Sequence, residues 1–116
     1  MIEKKLRLVD LFDFYGKMLT EKQYEIMDLY CNCDLSLAEI SENLSISRQA
    51  VHDAIKRSDK ILERYEMQLG LYERSQKREN DFMKIIRLIR NYQTSGDEAL
   101  LEQVMRIAEK QTGLSE

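Results

Sequence analysis

The sequence has no proline, and its 116 residues include only four glycines. With so few breakers, the weight falls on Leu, Glu, Lys, Ile, Gln and Arg, side chains that lose little rotamer freedom in a helix, so the composition favours an all-α protein. No unbroken apolar run occurs. The amino-terminal stretch MIEKKLRLVDLFDFYGK has charges spaced through it, which excludes a secretory signal or a membrane span there and predicts a cytoplasmic protein with no membrane partner. A glycine-rich phosphate loop and a Gly-x-Ser-x-Gly elbow are both missing. The acidic residues are scattered along helical faces beside basic neighbours, as in Glu63-Arg64, and form no acid and base pair, so no enzyme activity is expected. The single histidine, His52, lies about twenty residues from Cys31 and Cys33 and leaves no convincing ligand set for zinc, so no metal or other cofactor is expected. The cysteines themselves are two residues apart, a spacing that forms no ordinary disulfide and fits a reducing compartment.

Net positive charge is also missing. The formal charge is −3, which argues against coating nucleic acid by charge alone. The distribution says more than the total. Residues 1–46 carry five Lys and Arg against nine Asp and Glu, residues 47–78 carry eight against five, and residues 79–116 carry five against seven. The middle of the chain is its basic part.

What is present is a series of amphipathic helices separated by capping signals. Ile2, Leu6, Val9, Phe12 and Tyr15 recur at helical spacing and predict a first helix that frays at Gly16. Thr20 with Gln23 has capping-box spacing, with Leu19 and Tyr24 as the apolar staple, and predicts a second helix ending near Tyr30 or Cys31. Ser36 with Glu39, stapled by Leu35 and Ile40, opens a short third helix that stops near Asn43. Ser47 caps a fourth from Arg48, with Ile46 and Val51 as staple. Its stripe runs through Ile55, Ile61 or Leu62, Tyr65 and Leu69 to Gly70, which either kinks or ends the helix. A segment from Leu71 to about Tyr92 carries Phe82, Ile85, Ile86 and Ile89. Ser95 with Glu98 repeats the capping-box spacing before a last helix, with Leu100, Leu101, Val104 and Ile107 apolar and Gly113 beyond its end. Length and pattern together predict residues 1–70 as a helix-turn-helix domain and 71–116 as a helical extension packed on it as one unit.

Two helices joined by about four residues, the second capped by serine, form the plan of a DNA-binding helix-turn-helix. Ile40, Leu44, Ile46, Val51 and Ala54 fall where its two helices and turn pack together, and Ser41 is the small residue at their crossing. The turn position often taken by glycine is Ser45, where a left-handed backbone carries a cost. Arg48, Gln49, His52, Asp53 and Lys56 then project outward from the second helix. Arginine can donate two bonds to guanine and glutamine can exchange two with adenine, while Lys56, Arg57 and Lys60 suit phosphates. Ser47, Arg48, Gln49, His52, Lys56, Arg57 and Lys60 are the candidate nucleic-acid-binding set. Asp53 in their midst repels phosphate.

The runs LFDFYGKMLTEKQ and DLSLAEISENLSISRQAVHDAIKRSDKILERYE resemble the YlxM-like family of small bacterial proteins, over roughly residues 5–75. More distantly, Ser36 to Ala54 is similar to the sigma-factor region that reads the −35 promoter element. The other sigma regions have no counterpart, so promoter selection is not carried over. The YlxM-like resemblance implies an all-helical fold, a homodimer, a DNA-binding role and an association with the signal recognition particle pathway. The expected function is therefore a helix-turn-helix regulator or accessory factor binding nucleic acid, DNA before RNA. The rival is a protein-interaction module acting on the targeting GTPase of that pathway or on its RNA.

Overall fold

The computed structural model describes residues 2–113. Six α-helices follow one another: α1 Ile2–Tyr15, α2 Glu21–Cys31, α3 Leu37–Leu44, α4 Arg48–Leu69, α5 Leu71–Ser95 and α6 Glu98–Thr112, with one 3-10 turn, Gly16–Met18, between α1 and α2. No strand occurs among the described residues. The chain forms two compact units, one running through Tyr72 and the other from Glu73 onward.

In the first unit the helix starts follow the local capping signals. The Thr20 hydroxyl accepts from the Gln23 amide while the Gln23 side chain accepts from the Thr20 amide, and Ser36 and Glu39 exchange the same pair of bonds. Each box satisfies two amides that a helix start otherwise leaves unpaired. Gly70 takes a left-handed conformation, φ 63°, and ends α4 outright.

Two groups of apolar side chains hold this unit. Leu8, Leu11, Phe12, Tyr15 and Leu19 from the amino-terminal segment pack with Met27 of α2 and Leu62 of α4. Ile26, Ile40 and Val51 form the second group, from α2, α3 and α4. The buried stripe of α1 is thus rotated from the expected one: Leu8 and Leu11 are inside, whereas Leu6 is 59 % exposed. Either stripe fits the sequence of the helix, and the position of Leu62 and Met27 selects between them. The expectation for Ile2 lies outside the described side chains. On α4, Leu62 rather than Ile61 is fully buried, and Leu69 is exposed. Gly16 does more than mark a frayed end. A Cβ at this position would stand 2.9 Å from the Phe12 ring, so the 3-10 turn can pass over a buried aromatic only without a side chain.

The second unit differs in kind. Neither α5 nor α6 contains a buried residue, and Phe82, Met83, Ile86, Ile89, Leu101 and Met105 are exposed. Phe82, Ile86, Ile89 and Leu101 of the apolar stripes are therefore exposed, whereas Ile85, Leu100, Val104 and Ile107 are half-buried. Gln111 Nε2 donates to Asp81 Oδ2 at 2.7 Å and ties the end of α6 to α5. The start of α6 also departs from expectation. Gly96 is left-handed at φ 70°, Ser95 Oγ accepts from the Asp97 amide, and Asp97, not Ser95, caps α6 by accepting from the Ala99 amide.

Candidate nucleic-acid interface

The interface is built on the turn between α3 and α4. Ser45 has φ 56° and ψ 44°, the left-handed conformation that a glycine takes with less strain. Its amide still pairs with the Ser41 carbonyl, and the Ile46 amide reaches the same carbonyl at 3.1 Å. Ser41 also donates its hydroxyl to the Ile46 carbonyl at 2.5 Å. Ser41 therefore holds the turn by both its carbonyl and its side chain. Sequence spacing gives this residue only the role of being small. A hydroxyl five residues before the last carbonyl of the turn is the signal that could have added the second role.

Behind the turn, Ile40 and Val51 are fully buried, and Leu44, Ile46 and Ala54 pack against them. Ser47 Oγ accepts from the Ala50 amide at 3.0 Å and fixes the first turn of α4. With Val51 and Ala54 turned to the core, helical geometry sends two rows of side chains outward at four-residue spacing. Arg48, His52, Lys56 and Lys60 form one row, and Gln49, Asp53 and Arg57 the other.

The structure brings these expected residues together on one face. Ser47, Arg48, Gln49, His52, Lys56, Arg57 and Lys60 are exposed, and Asp53 is half-buried. Gln49 Nε2 donates to Asp53 Oδ1 at 3.0 Å, while His52 Nδ1 lies 3.6 Å from that oxygen. Asp53, Lys56, Arg57 and Lys60 line a shallow depression of about 300 Å³. No ion pair ties down Arg48, Lys56, Arg57 or Lys60 among the described residues. Elsewhere in this unit Lys5 is paired with Asp34 at 2.8 Å and Arg7 with Glu63 at 2.8 Å. The outer face ends where that second pair begins. At Glu63, α1 lies against α4, and the Arg7 guanidinium holds the Glu63 carboxyl below its ordinary range.

A family model described as "Putative helix-turn-helix protein, YlxM / p13 like", UPF0122, matches residues 2–107. The chain belongs to this family. A UPF0122 protein of Bacillus cereus strain AH187 is 44 % identical over 110 residues, spanning 95 % of this chain and 98 % of its own length. UPF0122 proteins of Bacillus anthracis strain A0248 and Bacillus thuringiensis subsp. konkukian strain 97-27 match at the same identity and coverage. Membership covers both units of the chain, so α5 and α6 are part of the UPF0122 pattern through Ile107. Among the described residues, no three His, Cys, Asp or Glu side chains gather as a metal site would require, and no helix is long and apolar enough to cross a membrane.

Proposed function

We propose that this UPF0122 protein binds duplex DNA by placing the amino-terminal half of α4 in the major groove. Ser47, Arg48, Gln49 and His52 face base edges, Lys56 lies between bases and backbone, and Arg57 and Lys60 meet phosphates. One observation carries this reading. Arg48, Lys56, Arg57 and Lys60 stand together, exposed, on the outer face of a helix whose opposite face is anchored through a helix-turn-helix core.

The uncovered faces of α5 and α6 support a homodimer, in which a second copy covers the exposed Phe82, Ile86 and Met105. Two copies then present paired recognition helices to two half-sites. The same faces, together with the net charge of −3, favour a second reading. In it the chain is an accessory factor of the signal recognition particle pathway, and it contacts the targeting GTPase or its RNA through those apolar helices.

The test is a fluorescence-anisotropy titration of the full chain against duplex DNA and signal recognition particle RNA at two salt concentrations. Sequence-selective binding to duplex that weakens steeply with salt is expected. Selective RNA binding, or capture of the targeting GTPase with no duplex affinity, supports the second reading and removes the first.

A further inference from the structure

Gln49 and Asp53 stand one turn apart on the outer face of α4, joined by the 3.0 Å bond from Nε2 to Oδ1. A carboxylate only accepts hydrogen bonds, so it must face the amide nitrogen and never the amide oxygen. The orientation of a group that can otherwise turn either way is thereby decided by chemistry. His52 Nδ1, at 3.6 Å from the same oxygen, is beyond hydrogen-bond length, which leaves Gln49 as the partner of Asp53. One N–H of Gln49 is spent on the carboxylate. An adenine contact uses Oε1 and the N–H cis to it, so the N–H given to Asp53 in this arrangement is the trans one, which leaves one donor next to one acceptor on the same edge.

We infer that Asp53 is a positioning residue that presets the Gln49 carboxamide for adenine, so that the protein selects an A·T pair at one position of its site. This rests on the reading of α4 as a DNA-reading helix and adds one base and the residue that sets it. In the major groove adenine offers the N7 acceptor and the N6 donor, the complement of a donor and acceptor held side by side. Guanine offers two acceptors, N7 and O6, and sets O6 against Oε1. Turning the amide over to escape that contact drives its oxygen onto Asp53. Cytosine and thymine each supply only one of the two bonds. The carboxylate that opposes phosphate binding thus has a use at the centre of the face, with Arg48 before it and Lys56, Arg57 and Lys60 beyond.

The experiment selects duplexes from a randomised library with the wild-type chain, then measures anisotropy on the selected duplex for wild type, Q49A, D53A and D53N. Each preferred adenine is replaced in turn by guanine and by 7-deazaadenine, which lacks the N7 acceptor. At one position the wild type loses roughly 5- to 150-fold on guanine, the range of one good bidentate contact, and a smaller factor on 7-deazaadenine. Q49A is indifferent there. D53A loses most of the discrimination while binding random duplex more tightly, and D53N, whose amide can turn its nitrogen to Gln49 Oε1 and so no longer fixes the carboxamide, loses it as well. A purely structural role for Asp53 weakens all duplexes alike and leaves the base preference intact, which overturns the inference. A selected duplex in which no position responds to 7-deazaadenine overturns it as well. Failure of the underlying reading looks different: no duplex binds in a salt-sensitive way, and both fall together.

Discussion

Tyr15 on α1 donates its hydroxyl proton to Glu66 Oε1 on α4 at 2.6 Å, across 51 residues of sequence. The same two groups start the next helix. The Leu71 amide donates to the Tyr15 hydroxyl and the Tyr72 amide to Glu66 Oε1, each at 3.0 Å. These are amides that a helix start leaves unpaired, and α5 has its cap supplied from α1 and α4. Desolvation, reinforced by Glu66, makes the Tyr15 hydroxyl harder to ionise than in water.

Replacing Tyr15 by Phe keeps the ring and strips Glu66 and the Leu71 amide of a partner. A loss of about 1–3 kcal/mol is expected, the cost of deleting one partner from a buried hydrogen-bond network. Urea unfolding of wild type and Y15F measures it, and an unchanged midpoint denies the network its role.

Ser58 sits fully buried on α4, and its hydroxyl has no hydrogen-bond partner among the described residues. S58A removes the unpaired group at little cost in volume, and a stabilisation of up to about 1 kcal/mol is expected. A clear loss of stability in thermal unfolding indicates that the hydroxyl is bonded after all.

At the turn, S45G relieves a left-handed serine and should stabilise the folded chain by about 0.5–1 kcal/mol after the entropy that glycine adds to the unfolded state. The gain should leave the outer face of α4 unaltered. A destabilised S45G gives the Ser45 side chain a role beyond the backbone.

The Arg7–Glu63 pair links α1 to α4 through two bonds, Nε to Oε2 and Nη2 to Oε1, both 2.8 Å. Arg7 lowers the Glu63 pKa in the folded state. Its stability contribution is therefore present above the unfolded value of about 4.3 and lost as pH falls through the folded one. Both side chains are more than a third exposed, so E63Q should cost no more than about 1 kcal/mol at neutral pH. Unfolding curves of wild type and E63Q should converge in acid. A gap that widens in acid contradicts the pairing.

The two thiols should separate chemically. Burial pushes Cys31 up to about 11, while Cys33 is exposed, and alkylation proceeds through the thiolate. Iodoacetamide at pH 8 followed by peptide mass mapping should find Cys33 modified well before Cys31. The reverse order contradicts the burial of Cys31.

How much of the fold is legible in the sequence depends on the range of each signal. Thr20 with Gln23 and Ser36 with Glu39 are legible because a capping box lies within four residues. Ser47 and the packing of Ile40, Val51 and Ala54 are legible because a helix-turn-helix has a short, fixed spacing. Ser95 with Glu98 has the same letters, but left-handed Gly96 brings Asp97 into the capping position instead. Leu8 in place of Leu6, and the burial of Glu66, depend on contacts more than fifty residues apart, such as Tyr15 with Glu66. No local pattern carries them. The outward projection of Arg48, Gln49, His52, Lys56, Arg57 and Lys60 follows from helical spacing, whereas the Gln49–Asp53 bond requires side-chain positions.

Everything proposed for α4 depends on its cations meeting phosphate. The decisive quantity is affinity for duplex DNA as a function of salt concentration, for wild type and for a variant with Lys56, Arg57 and Lys60 replaced by Ala. Each lost phosphate contact lowers the slope of log affinity on log salt by about 0.9, so the three substitutions should lower it by roughly two to three. An unchanged slope, with the variant binding as the wild type does, contradicts a phosphate-facing α4.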